Sequence, residues 1–91
     1  MEKVYAEIAR LTEAGHPEDA VALALERLGS TTTDATLHYL IGRARMKQGR
    51  WGDAISAFLK AEAADPDGPA REAREMLDDI LAFYNKDMYN Q

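Results

Sequence analysis

The sequence predicts an all-α chain, five antiparallel helices packed in sequence order into one small domain. Three observations predict it. Apolar residues recur at intervals of three and four in five separate segments. Glycine or proline stands at the boundaries between those segments. No segment alternates apolar and polar positions with β-branched enrichment, so no strand is expected. Composition agrees: of 91 residues, 46% are hydrophobic and 30% charged, a globular balance.

The first helix is expected over residues 2–14. Val4, Tyr5, Ile8 and Leu11 make its apolar stripe, and Gly15 stops it. Pro17 restarts a helix at its first turn, with Glu18 and Asp19 beside the positive dipole end. This second helix carries Ala20, Val21, Leu23, Ala24, Leu25 and Leu28 inward and ends at Gly29. Residues 30–33 are a polar linker, with Thr33 as the expected N-cap. The third helix covers 34–48, buries Leu37, Leu40, Ile41 and Ala44, and ends at Gly49. The fourth covers 52–64, with Ala54, Ile55, Phe58, Leu59 and Ala61 inward. Asp65-Pro66-Asp67-Gly68-Pro69 is the strongest breaker in the chain, and Asp67 reads as a helix cap. The fifth helix covers 69–84 with Ala73, Leu77, Ile80, Leu81 and Tyr84 as its stripe.

Charge and cysteine content exclude several functions. Eleven basic and sixteen acidic side chains leave a net charge of −5, which argues against a broad nucleic-acid surface. No cysteine is present, so disulfides, thiolate zinc sites and cysteine nucleophiles are excluded. No apolar run approaches the roughly 18 residues that span a bilayer. The first residues carry acids early and lack a long apolar core, unlike a secretory signal. The expected compartment is the cytoplasm, with neither membrane nor nucleic acid as partner.

Shifting the chain by 34 residues superimposes Gly15 on Gly49, Asp19 on Asp53, Ala20 on Ala54 and Tyr5 on Tyr39. Residues 35–68 hold Ile41-Gly42, then Ala54 and Phe58 at A-x3-F spacing, Ala61, and a closing Pro66; Lys47-Gln48-Gly49 makes the turn between their helices. This pattern resembles the tetratricopeptide repeat family. His38 and Arg45 depart from its usual Trp and Tyr. Residues 1–34 match less well. In strict register Glu7-Ile8 stands where the second unit has its Leu-Gly-like pair Ile41-Gly42, and a shift of one residue gives Ile8-Ala9 with Tyr5 as the aromatic; the two registers stay open. The resemblance implies an α-α superhelix: one repeat over 1–34, a second over 35–68, and a capping helix with tail over 69–91. Gly42 and Ala54 would let the second pair of helices approach closely, with Phe58 filling the space toward the next unit.

No catalytic constellation is legible, so an enzyme is not expected. His16 beside Pro17 reads as an exposed turn residue and His38 as a packed ring. The two histidines have no zinc-ligand spacing. The twelfth residue from Asp65 is Met76, where a calcium loop needs an acid. Asp78 and Asp79 are adjacent and point to different helix faces. Neither cofactor nor metal is expected.

The resemblance implies a concave groove lined by the first helix of each unit, where a protein or peptide segment binds. Carried over by position, the groove holds Tyr5, Tyr39, Arg43, Met46, Lys47 and Arg74, with Glu2, Ala9, Thr12, Thr36, Leu40, Ala70 and Leu77 around them. Tyr39, Arg43 and Lys47 recur every four residues and share a helix face. Arg43, Lys47 and Arg74 would form a basic strip favouring an acidic segment. Tyr5, Ala9 and Leu40 occupy places where chaperone-binding members of the family carry Lys and Asn, so that ligand is not expected. Phe83, Tyr84, Met88 and Tyr89 crowd the last nine residues and mark a second surface. The two functional readings are an interaction module working through its groove and a self-assembly module that homodimerises through its C-terminal helix and tail.

Overall fold

The computed structural model describes residues 2–29 and 33–84. They form α1 (Glu2–Glu13), α2 (Pro17–Leu28), α3 (Ala35–Lys47), α4 (Trp51–Ala64) and α5 (Ala70–Tyr84), and no strand occurs among them. Each helix packs on the next in sequence, and α1 also reaches past α2 to touch α3. Among the described residues no helix is long and apolar enough to cross a membrane.

The α1–α2 and α3–α4 turns are the same turn. Gly15 takes φ +90° and Gly49 φ +74°, values that glycine adopts without a Cβ penalty. The His16 amide donates to the Leu11 carbonyl at 2.8 Å, and the Arg50 amide to the Arg45 carbonyl at 2.9 Å. Gly15 and Gly49 donate to Thr12 and Met46 at 3.3 and 3.0 Å. All four residue pairs repeat at the 34-residue offset, so across the turn the strict register holds rather than the shifted one. These bonds satisfy carbonyls that the helix ends would leave unpaired. Turns this short reverse the chain, so the helices they join run in opposite directions.

Two apolar clusters hold the helices together. The first contains Ile8, Ala20, Val21, Ala24, Leu28, Leu37, Ile41, Ala44 and Ala57. The second is smaller: Ala54, Phe58, Ala61, Ala70 and Leu77. Phe58 is fully buried, and its ring lies against the backbone of Gly42. A Cβ built at Gly42 would overlap that ring, whose Cζ would be 2.9 Å away. Only glycine leaves room for the ring at that spacing.

Several local expectations change. The N-cap of α3 is Asp34, not Thr33: Asp34 Oδ1 accepts from the Leu37 amide at 2.9 Å. Asp67 does not cap α5; Asp65 organises that turn by accepting from the Asp67 amide at 3.2 Å. Leu25, Leu59 and Ile80 are exposed, and Ala57 is buried instead. On α4 the buried face runs through Ala54, Ala57, Phe58 and Ala61, and Leu59, one residue past Phe58, points away from it. His38 is buried in α3 and His16 is exposed at the start of α2.

Candidate functional site

One side of the molecule is built on α1, α3 and α5. Three adjoining clefts lie there, and Tyr39 lines all of them. The largest, about 390 Å³, runs from Tyr5, Ala6 and Ala9 across Tyr39 and Leu40 to Pro69 and Ala70. The second, about 340 Å³, lies between α3 and α5, with Arg43 and Met46 facing Glu72, Ala73 and Met76. The third, about 190 Å³, separates Ala9, Thr12 and Glu13 from Leu40 and Arg43.

The core sets the aromatic centre of this face. Tyr39 packs its ring against Phe58, centroids 5.8 Å apart and tilted by 42°. Gly42 allows Phe58 to sit there, so the glycine, the phenylalanine and the tyrosine form one buttress. The Tyr39 hydroxyl accepts from Arg43 Nη1 at 3.0 Å, and the guanidinium lies 5.9 Å from the ring centre. Arg43 also reaches Glu13 Oε1 of α1 at 3.7 Å, a long and exposed pair. Tyr5 is fixed differently. Its hydroxyl donates to Asp34 Oδ2 at 2.9 Å, while the other oxygen of that carboxylate caps α3. Loss of water around the hydroxyl and the adjacent carboxylate both push its pKa above the ordinary phenol value. Both rings are thereby held with their hydroxyls engaged.

Of the predicted groove residues, Tyr5, Tyr39, Arg43 and Met46 line these clefts. Lys47 is exposed on α3, one turn beyond Arg43. Arg74 does not join them. It turns to the opposite flank of α5, where Nε donates to Glu62 of α4 at 2.8 Å and Nη1 to Asp78 at 3.0 Å. Arg74 thus stands apart from Arg43 and Lys47, and the three clefts carry Glu13, Asp65 and Glu72 beside Arg43. Leu77 is core rather than groove. Thr12 is likewise buried, its hydroxyl donating to the Ile8 carbonyl at 3.2 Å. Sequence reasoning missed Pro69 and Met76, although Met76 follows Ala73 at helical spacing.

On the second surface, Phe83 is 76% exposed and continues a line of exposed apolar residues through Ile80 and Met76. Tyr84 ends α5, and Met88 and Tyr89 lie outside the described residues. No group of three or more histidine and acidic residues able to hold a metal ion occurs among the described residues.

The chain matches no family model and no curated protein. Among solved structures it is similar to the solution NMR structure of the Bacteroides fragilis protein BF1650, at 39% identity and a TM-score of 0.86. The match covers 100% of this chain and 92% of that one.

Proposed function

From a chain that belongs to the same family as the Bacteroides fragilis protein BF1650, we propose a cytoplasmic protein-interaction module of the tetratricopeptide type, working by binding and not by chemistry of its own. Its concave face takes up a peptide or extended partner segment. The observation that carries this reading is the run of three clefts around Tyr39, with both tyrosine rings held in place from behind or by their hydroxyls. Preorganised aromatic walls give contact area at little entropic cost. Small residues, Ala6, Ala9 and Ala35, leave room for inserted side chains. A carboxylate on the ligand would engage Arg43, whose 3.7 Å pair with Glu13 is readily exchanged, and then Lys47.

The test is affinity capture from native lysate with parent protein and with an Arg43→Glu, Lys47→Glu variant. The variant should keep its helical spectrum and lose partners that the parent retains. Rising salt should weaken the charged part of the contact and spare the apolar part. Equal capture by both proteins would remove the groove as the site.

The exposed line of Met76, Ile80 and Phe83 on α5 favours a second reading, homodimerisation through the C-terminal helix. Light scattering across a concentration series distinguishes the two, because only self-association makes the apparent mass rise.

A further inference from the structure

The face opposite the groove holds a cleft of different charge. It lies between α2 and α4 with α3 as its floor, and measures about 280 Å³. Leu25, His38, Arg45, Arg50, Ser56 and Lys60 are the residues that give it its character. Arg50 pairs with Asp53 at 2.7 Å, and the two cancel. Arg45 donates to the neutral Gln48 side chain at 3.1 Å and makes no ion pair among the described residues. Lys60 makes no ion pair among the described residues. The cleft therefore keeps two uncompensated cations in a chain whose net charge is −5. The concave clefts do not: Arg43 is matched there by Glu13 in one and Glu72 in another, and the largest holds Asp65 with no cation.

We propose that this cleft is a binding site for a phosphate monoester. Two cations match the charge of about −1.5 to −2 that such a group carries near neutrality. Arg45 offers paired N–H donors, Lys60 a mobile ammonium, and the exposed Ser56 a hydroxyl donor. The half-exposed Leu25 at the rim gives apolar contact to whatever bears the phosphate. This site shares α3 with the groove but uses that helix's other face, His38 and Arg45 rather than Tyr39 and Arg43, together with α2 and α4.

The test uses the whole chain, titrated with O-phosphoserine, inorganic phosphate and a phosphoserine peptide while backbone amide shifts are followed. Serine and the unphosphorylated peptide are the controls. Saturable shifts are expected at Arg45, Ser56, Ala57 and Lys60. Arg45→Gln and Lys60→Gln should each weaken binding by about tenfold or more, the scale of a hydrogen bond to a charged group. Ser56→Ala, at an exposed position, should weaken it less and leave folding unchanged; circular dichroism checks all three variants. Tighter binding of the phosphopeptide than of inorganic phosphate identifies a modified protein as the source, and equal binding identifies free phosphate. Shifts centred on Tyr39 and Arg43, shifts that never saturate, or variants that bind like the parent would overturn the proposal.

Discussion

In the α1–α2 hairpin the large buried residue stands on the first helix, at Ile8, and the second helix carries Ala24. In the α3–α4 hairpin, at the same offsets 34 residues on, the first helix carries Gly42 and the second Phe58. All four are buried. The two hairpins share one turn geometry, yet divide their interior volume in opposite ways. What the fold conserves here is the sum across the interface, because close packing responds to total volume before identity. The arrangements differ in consequence. Ile8 and Ala24 belong to a broad aliphatic cluster, whereas Phe58 is the one large ring in a cluster otherwise of alanines and Leu77, and it also backs Tyr39. The second hairpin thus ties its stability and its share of the groove to a single side chain.

The largest effect should come from Phe58→Ala. Emptying that site costs roughly 3–5 kcal/mol, read as a shift in urea midpoint, and this is a large part of a small domain's stability. Adding Gly42→Ile would copy the first hairpin's division of volume. The double variant should be more stable than Phe58→Ala alone, with a coupling energy of about 0.5–3 kcal/mol. A double variant weaker than the single one would break the equivalence of the hairpins.

A smaller effect, of opposite sign at two glycines, sharpens the same comparison. Alanine is favoured over glycine inside a helix by roughly 1 kcal/mol. At Gly52 an added Cβ meets nothing within 4 Å, so Gly52→Ala should be neutral or stabilising. At Gly42 the same methyl strikes the Phe58 ring, and overpacking of about 1–3 kcal/mol should outweigh the propensity gain. Thermal midpoints that move in the same direction for both would show that the ring can yield.

The smallest effect concerns acid. The hydrogen bond from Arg74 holds the Glu62 carboxyl below the usual carboxylate range. A depressed folded pKa contributes stability above the unfolded pKa, and this is lost as pH falls through the folded one. Acidification below the usual carboxylate range should therefore loosen α5 from α4. Arg74→Gln should flatten that part of the melting profile, and an unchanged profile would show that the clasp contributes nothing.

The helices were legible almost to the residue, because glycine, proline and apolar spacing all act locally. The first hairpin's kinship to the second was faint, since residue-by-residue matching sets Ile8 against Gly42 and Ala24 against Phe58. Arg74 shows where local reading stops. Its spacing places it on one side of α5, but which flank faces the Tyr39 clefts depends on the roll of that helix. Burial of Ala70 and Leu77 sets the roll, and Glu62 on another helix then captures the guanidinium. Leu59 is exposed for a related reason: the roll of α4 buries Ala54, Ala57, Phe58 and Ala61, and Leu59 stands on nearly the opposite side from Ala57. The cleft between α2 and α4 is not legible in the sequence because Arg45, Arg50 and Lys60 meet only once α3 and α4 are side by side.

Asp34 bears on how the molecule opens. One of its carboxylate oxygens starts α3 and the other holds Tyr5 of α1. A stack of helices bound only to nearest neighbours frays from its end, one helix at a time. Here α1 is laced past α2 to the start of α3. Departure of α1 strips a partner from the carboxylate that caps α3, so the first turn of α3 loosens with it. The smallest cooperative opening at this end is then α1 together with the Leu37 amide, and slow hydrogen exchange should report the two as one unit. Opening of α1 is in this way transmitted directly to the helix that carries Tyr39.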